Sequence, residues 1–196
     1  NILFNIIMPP KNKYGEIIFK DYKDFKPNLT PREIFMLGSF GGTYWRPIKS
    51  KFYKSILSNQ HKKYQKSWWK DIDDNKLVSE WINYDVNINK YKVYCGSTLE
   101  DWESSGWIIE KHPYGWVQWY CDFYKGDRCD DDERQIQRWK RTAGPNSRFR
   151  KQIINLIISN NTKYNNFNIS PKIRQTLQHW GYCLTEKDFL EEYNKV

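Results

Sequence analysis

Several features that would assign the chain to a common class are missing. No apolar run in its 196 residues approaches the roughly 18 that a membrane-spanning helix needs. No repeat, low-complexity tract or Gly/Ser-rich linker divides it. Segment 38–43 is glycine-rich but lacks the Lys-Ser/Thr end of a phosphate-binding P-loop, and it follows a predicted helix instead of a strand. These absences argue against an integral membrane protein, a repeat array and a P-loop enzyme, and the length favours one domain.

Cysteine is scarce and widely spaced. The four residues Cys95, Cys121, Cys129 and Cys183 form no C-x-x-C pair, and their spacing is not that of a disulfide framework. His179 and Cys183 have the spacing of half a zinc site, but zinc sites usually contain two close pairs. We therefore predict reduced thiols, no metal and no cofactor, in an intracellular, reducing compartment.

Aromatic residues are abundant, and positive charge is in excess. Lys and Arg number 32 against 23 Asp and Glu, which gives a net charge of +9. A mean hydropathy of −0.89 is typical of disordered chains. However, the 10 Trp, 14 Tyr and 10 Phe can each bury about 150–250 Å². The composition thus predicts a folded domain with an aromatic core and a basic surface.

The beginning of the chain has its own pattern. It opens without Met, so we expect residues 1–13 to form an N-terminal arm or the remnant of a longer chain. The apolar run 2–8 lacks the basic start and cleavage site of a secretory signal, which favours an edge strand or a docking arm. Residues 14–196 are predicted to form a single α-rich α+β domain.

The first half of the chain combines one clear helix start with weaker strand signals. Residues 30–33, Thr-Pro-Arg-Glu, provide a Thr cap, Pro at the first helical position and Glu three residues after the cap. This helix is predicted to end at Gly38 or shortly after. Segments 14–25 and 91–95 each predict a short strand, while 77–84 fits either a short helix or an extended segment.

The second half is predicted to be mainly helical. Capping residues and apolar spacings of three and four recur along it, and the C-terminal third shows no strand pattern. The fold class is therefore a compact, α-rich α+β domain with a few short strands in the first half. The predicted helices span 98–106, 116–123, 130–141, 147–160, 170–181 and a segment from 185 onward.

The strongest functional pattern is a basic segment, 138–151, with six cations and no carboxylate. Arg134, Arg138 and Arg141 are spaced i, i+4, i+7 and should share one helix face. Clustered guanidinium groups suit phosphate, and the alternative is a solvated face paired with the acidic run 130–133. The predicted phosphate-contacting residues are Arg134, Arg138, Lys140, Arg141, Arg148, Arg150 and Lys151.

Basic residues also alternate with aromatic rings earlier in the chain. Tyr44, Trp68 and Trp69 are predicted to stack on unpaired bases, with Arg46 as a neighbouring cation. The alternative is that these rings fill the core, and for any single Trp that alternative is favoured.

Catalytic signals are weak. Asp131, Asp132 and Glu133 are the carboxylates that a metal-dependent nuclease could use, and His112 is the only reasonable acid–base candidate beside them. Neighbours in sequence rarely converge on one ion, and carboxylates are favoured at a helix N-terminus by its dipole. We therefore favour helix capping over metal binding for this run.

Four motifs give the chain a resemblance to known sequences. They are Gly38-x-Phe-Gly-Gly-Thr-Tyr-x-Arg-Pro-Ile48, Gly115-Trp-x-Gln-Trp-Tyr-Cys121, Asp131-Asp-Glu-Arg-Gln-Ile-x-Arg-Trp139 and Ser170-Pro-x-x-Arg-Gln-Thr-Leu-x-His-Trp180. With these motifs the chain resembles an uncharacterised protein family of fungi, algae and giant viruses. The resemblance covers roughly residues 30–190 and implies one intact domain and an AT-rich viral or protist source. It implies no activity and no catalytic residue.

Three function classes remain open from the sequence. The leading hypothesis is a nucleic-acid-binding protein, with DNA favoured over RNA, acting inside the cell in a nucleus, viral factory or virion. The second is a structural, virion or scaffold protein that uses exposed rings to bind a protein partner or itself. The third is a nuclease or base-modifying enzyme. No membrane partner is predicted.

Overall fold

The computed structural model describes residues 8–195, and this part of the chain is mainly helical, with 41% helix and 3% strand. Residues 1–7, most of the predicted N-terminal arm, lie outside the described residues. Among residues 8–195, no helix combines the length and apolar composition needed to cross a bilayer. The helices are α1 Pro31–Met36, α2 Leu99–Ser104, α3 Trp116–Tyr124, α4 Asp132–Ala143, α5 Arg148–Ser159, α6 Pro171–His179 and α7 Glu186–Tyr193.

The prediction of a helix-rich fold is confirmed, whereas the predicted strand at 14–25 is reduced to one bridge, at Ile17, and the predicted strand at 91–95 is not formed. Over residues 8–195, strand pairing consists of the isolated antiparallel bridges Lys11–Ile17, Ile48–Leu57 and Ile109–His112. Segment 91–95 forms no bridge because side chains satisfy its backbone groups. Val93 accepts a hydrogen bond from the Asn89 amide, and the Cys95 N–H donates to the Tyr84 hydroxyl.

Helix α1 begins as its sequence predicts. The Glu33 N–H donates to Thr30 Oγ1 over 3.2 Å, and the Thr30 N–H donates to Glu33 Oε2 over 2.7 Å, which completes a capping box. Pro31 occupies the first helical position. These contacts fix where the chain enters the helix, and therefore where the glycine-rich segment after α1 starts.

Helix α3 lies at the centre of the core, and all of its residues are buried. Helices α1 and α4 pack against α3, α5 packs against α4, and α6 and α7 pack against α5. Phe25 joins this core because its ring meets those of Trp119, Phe123 and Trp139 at centroid distances of 5.1–5.7 Å. Aromatic edge-to-face contacts thus do much of the packing that strands would otherwise provide.

Buried amides on α6 hold the glycine-rich segment after α1. Gln178 Nε2 donates to the Gly38 carbonyl over 2.8 Å, and Gln175 Nε2 donates to the same oxygen over 3.2 Å. The Tyr91 N–H donates to Gln175 Oε1 over 3.1 Å. Two irregular segments are thereby fixed to one helix, and this places Phe40 against the C-terminal end of α6.

Replacing Gly38 tests how closely the segment after α1 approaches the backbone of Ile88. Its φ is +94°, and a Cβ at this position would lie 1.9 Å from the Ile88 carbonyl oxygen. Gly126 is a matched control, since its φ is +107° but a Cβ would meet nothing within 4 Å. We expect Gly126→Ala to lower the free energy of unfolding by about 1–2 kcal/mol through backbone strain. Gly38→Ala should cost about 2 kcal/mol more because the backbone must also move. Urea unfolding of both variants measures this, and equal losses would contradict the described contact.

Candidate functional site

A cavity of about 470 Å³ opens between α2, α3, α4, α6 and the loops around residues 95–97 and 107–108. We call it the aromatic cavity because rings form most of its lining. Trp107 is 45% exposed and can therefore be reached from solvent. The aromatic lining residues, besides His179, are Phe40, Tyr44, Trp102, Trp107, Tyr114, Trp116, Phe149 and Trp180.

Helix α6 supplies one polar side of the aromatic cavity. Lys172, Thr176 and His179 all line it, and their i, i+4, i+7 spacing puts them on one helix face. Arg138 reaches the cavity from α4, and Phe149 reaches it from the first turn of α5. The consecutive helices α4 and α5 and the more distant α6 thus converge on the same space.

His179 is a neutral hydrogen-bond donor in this cavity. Its Nε2 accepts hydrogen bonds from the Phe40 N–H over 3.1 Å and from the Gln175 amide over 3.0 Å. Because both partners are donors, Nε2 carries no proton and Nδ1 must carry it. The ring stacks on Phe40 at a centroid distance of 3.8 Å, and burial lowers the pKa of His179 to about 3. The Nδ1–H donates to no described residue.

Arg138 is a half-buried cation that lacks a carboxylate partner among residues 8–195. Its guanidinium lies 5.5 Å from the Trp107 ring and 5.3 Å from the Trp180 ring, and Nη1 donates to Gln135 Oε1 over 2.9 Å. Burial, and then the nearby charge of Arg134, lower the pKa of Arg138 to about 10. The aromatic cavity has no Asp or Glu in its lining. Arg138 and the exposed Lys172 therefore make its potential positive.

The other predicted cations on α4 have different surroundings. Arg134 Nη2 donates to Asp131 Oδ2 over 2.9 Å, so its charge is partly neutralised. Lys140 Nζ lies 3.7 Å from Asp24 Oδ2. Arg141 is exposed, and none of the ion pairs between described residues includes it.

Arg150 does not lie on the basic surface where its sequence neighbours lie. It is 6% exposed, and its Nε donates to the Ala143 carbonyl over 2.6 Å. Its guanidinium lies over the Tyr182 ring and 3.4 Å from Asp188 Oδ2. Its charge is already matched by Asp188 and its Nε–H by a carbonyl, so Arg150 serves the fold rather than an exposed basic surface. Arg148 and Lys151 remain exposed on the outer face of α5.

The rings predicted to stack on bases belong to the core. Trp68 and Trp69 are 6% and 7% exposed, and the Trp69 indole donates to the His61 carbonyl. Arg46 is half-buried with its guanidinium 5.1 Å from the Trp81 ring. The alternative interpretation, that these rings fill the core, therefore holds for both tryptophans.

Tyr44 is also buried, but it lines the aromatic cavity. Its hydroxyl donates to the Tyr114 carbonyl over 2.6 Å and accepts from the Gln118 N–H over 2.9 Å. Trp107 and Trp180, which the sequence did not single out for stacking, lie beside Arg138 instead. The i, i+4, i+7 spacing on α6 was the one sequence signal that could have found this side of the cavity.

The acidic run does not form a metal site in the described part of the chain. Asp131 pairs with Arg134, and the exposed Glu133 accepts from the Gln137 amide. Asp132 is 3% exposed and accepts from the Trp119 indole over 2.8 Å and from the Cys129 N–H over 3.0 Å. Over residues 8–195 no three potential metal ligands gather. The predicted capping is wrong in its detail, because the N-cap residue Asp131 makes no side-chain hydrogen bond to the first N–H groups of α4. The contacts of Asp131 and Asp132 instead join the start of α4 to neighbouring side chains and to the Cys129 N–H.

His112 lies beside a different carboxylate. It is 1% exposed, and its Nε2 lies 3.3 Å from Asp122 Oδ2. Burial opposes ionisation of Asp122, but the contact with His112 and the charge of Lys63 lower its pKa below the usual value. His112 does not line the aromatic cavity, and its burial gives no route for a substrate.

None of the family models, curated proteins or solved structures compared with the chain matches it. The resemblance to proteins of fungi, algae and giant viruses therefore stays a prediction.

The buried His179 predicts a specific pH dependence of stability. Its ordinary pKa is 6.5 and its folded pKa is about 3, so the unfolded chain binds one more proton between these values. The stabilisation is complete above pH 6.5 and should fall by about 1.4 kcal/mol for each pH unit below it. His179→Gln keeps an acceptor for Phe40 but removes the titration. Urea unfolding between pH 7.5 and 4.5 should show that the free energy of unfolding depends less steeply on pH in this variant than in the unmodified protein. The other titrating groups are the same in both proteins, so the difference between the two profiles reports His179. Parallel profiles would contradict the low folded pKa of His179.

Proposed function

We propose that the protein binds nucleic acid through a basic surface formed by Arg138 and Arg141 of α4 and by Arg148 and Lys151 of α5. The observation that carries this proposal is that none of these four cations takes part in an ion pair among residues 8–195. Arg150 in the same segment, by contrast, is buried and paired with Asp188. Cations left without partners on adjacent helices are available to an external polyanion.

The geometry of the two helices supports a shared surface. Helix α4 packs against α5 across the short turn 144–147, and both reach the aromatic cavity, through Arg138 and Phe149. Arg148 and Lys151 do not line that cavity; they share a separate depression on the exposed face of α5. The free N–H groups at the start of α5 add positive potential in the same place.

Phosphate is the anion that this surface fits best. Guanidinium groups bind phosphate oxygens through paired hydrogen bonds, and the chain's net charge of +9 favours a polyanion over a single acidic residue. Both DNA and RNA present this backbone. The preference for DNA, and a nuclear or viral location, remain predictions.

A second candidate function, binding to a protein partner, is favoured by one exposed apolar region. Within residues 81–94, Ile82 is 86% exposed, Tyr94 is 49% exposed and Val86 is 36% exposed. This region does not line the aromatic cavity. Self-association that persists in Ile82→Ser would count against this second role.

Salt dependence tests the proposed phosphate contacts. Binding of labelled single- and double-stranded DNA and RNA is measured across a salt series, and affinity should fall steeply as salt rises. The double variant Arg148→Ala, Lys151→Ala should bind more weakly and lower the salt slope by about 1.4–1.8, because two phosphate contacts are lost.

The matched control is Lys54→Ala, Lys70→Ala, which removes the same charge from exposed positions elsewhere. Its salt slope should stay close to that of the unmodified protein. If the two double variants reduce the slope equally, binding depends on net charge alone and the assigned surface is wrong.

A further inference from the structure

We propose that the aromatic cavity binds a nucleotide, with the base among its rings and the phosphate held by Arg138 and Lys172. The ligand chemistry is a planar heteroaromatic ring that carries an anionic group. An unpaired base of a bound strand and a free mononucleotide both have this chemistry. If the ligand is a base of a bound strand, this inference rests on the proposed function. If the ligand is a free mononucleotide, it does not.

The positive charges that line the aromatic cavity favour an anionic ligand. Arg138 and Lys172 both line it, no Asp or Glu does, and neither cation forms an ion pair with a residue in the range 8–195. Arg138 is half-buried, so it has lost hydration without gaining a carboxylate. A bound phosphate would restore the missing partner through charge-assisted hydrogen bonds.

The rings of the aromatic cavity fit a flat ligand. Trp116 contacts Trp180 at a centroid distance of 4.8 Å, and Phe40 stacks on His179 at 3.8 Å, so a base would stack against one side of these ring pairs and not between their members. Stacking on aromatic side chains is the common way in which proteins hold an unpaired base, because every base has a π-face. The volume of about 470 Å³ lies within the range of roughly 300–1,000 Å³ that small-molecule sites occupy.

A polar donor at the aromatic cavity favours a base over a hydrocarbon ring. The His179 ring carries its proton on Nδ1, which has no acceptor among the described residues. Ring nitrogens and carbonyl oxygens of a base are acceptors for such a group. A ligand without acceptors would remove water from the His179 Nδ1–H without replacing it, at a cost in affinity.

Calorimetric titration with the four ribonucleoside monophosphates, the matching nucleosides and ribose 5-phosphate tests this site. We expect at least one monophosphate to bind, its nucleoside to bind about tenfold more weakly, and ribose 5-phosphate to give no measurable heat. Lys172→Met and Arg138→Met should each weaken monophosphate binding about tenfold and leave nucleoside binding nearly unchanged. Lys172 is exposed, so its substitution does not endanger the fold.

Lys70→Met is the matched control, since Lys70 is exposed and carries the same charge but lines neither the aromatic cavity nor the basic surface. It should leave monophosphate binding unchanged. A second titration compares a single-stranded octanucleotide with an abasic strand of equal length. If the protein binds the strand with bases more tightly than the abasic strand, and Lys172→Met abolishes this preference, the natural ligand is an unpaired base of a bound strand.

The outcomes separate the two proposals. Monophosphate binding that Lys172→Met weakens, without any polynucleotide binding, would support the cavity site and contradict the proposed function. If no monophosphate binds and the abasic strand binds as tightly as the strand with bases, the cavity site is wrong. Equal losses in Lys172→Met and Lys70→Met would also overturn the cavity site.

Discussion

The hydrogen bonds between α6 and the segment after α1 are the contacts on which the candidate site depends. The Phe40 N–H donates to His179, and Gln178 donates to the Gly38 carbonyl, so a helix near the end of the chain fixes a loop near its beginning. These bonds are buried, and leaving either partner unpaired would cost about 1–3 kcal/mol. They also set the tautomer of His179, and they place Phe40 where its ring forms the inner side of the aromatic cavity.

Two arginines illustrate how the fold separates structural charge from available charge. Arg150 is enclosed by Ala143, Tyr182 and Asp188, which satisfy its donors and its charge. Arg138 is half-buried between Trp107 and Trp180, with a neutral amide as its closest partner. Burying a cation without a carboxylate is costly, and such an arrangement is typical of a site that receives its counter-charge from a ligand. This contrast, more than the number of basic residues, favours the α4 side of the molecule as the functional face.

Local signals in the sequence predicted the helices well. The capping box at Thr30 is formed as predicted, and Ser147 and Thr185 each accept one N–H hydrogen bond at the start of α5 and α7. The predicted strand at 91–95 is wrong because the side chains of Tyr84 and Asn89 form hydrogen bonds with backbone groups that a partner strand would otherwise have bound. The site was harder to predict, since the exposure of a ring depends on which helices meet around it. Trp68 and Trp69 have the more basic sequence neighbourhood, yet they are buried, while Trp107 lies at the cavity.

The central claim is that bases reach the aromatic cavity when the basic surface holds phosphate. Ultraviolet cross-linking of a single-stranded octanucleotide, with the modified residues mapped by mass spectrometry, tests it most directly. The account predicts adducts on Trp107, Trp180 or His179, the residues that a base in the cavity would touch. It also predicts none on Trp68 or Trp69, which are buried elsewhere in the core. Adducts confined to residues outside the cavity, or no adduct at all, would contradict the account.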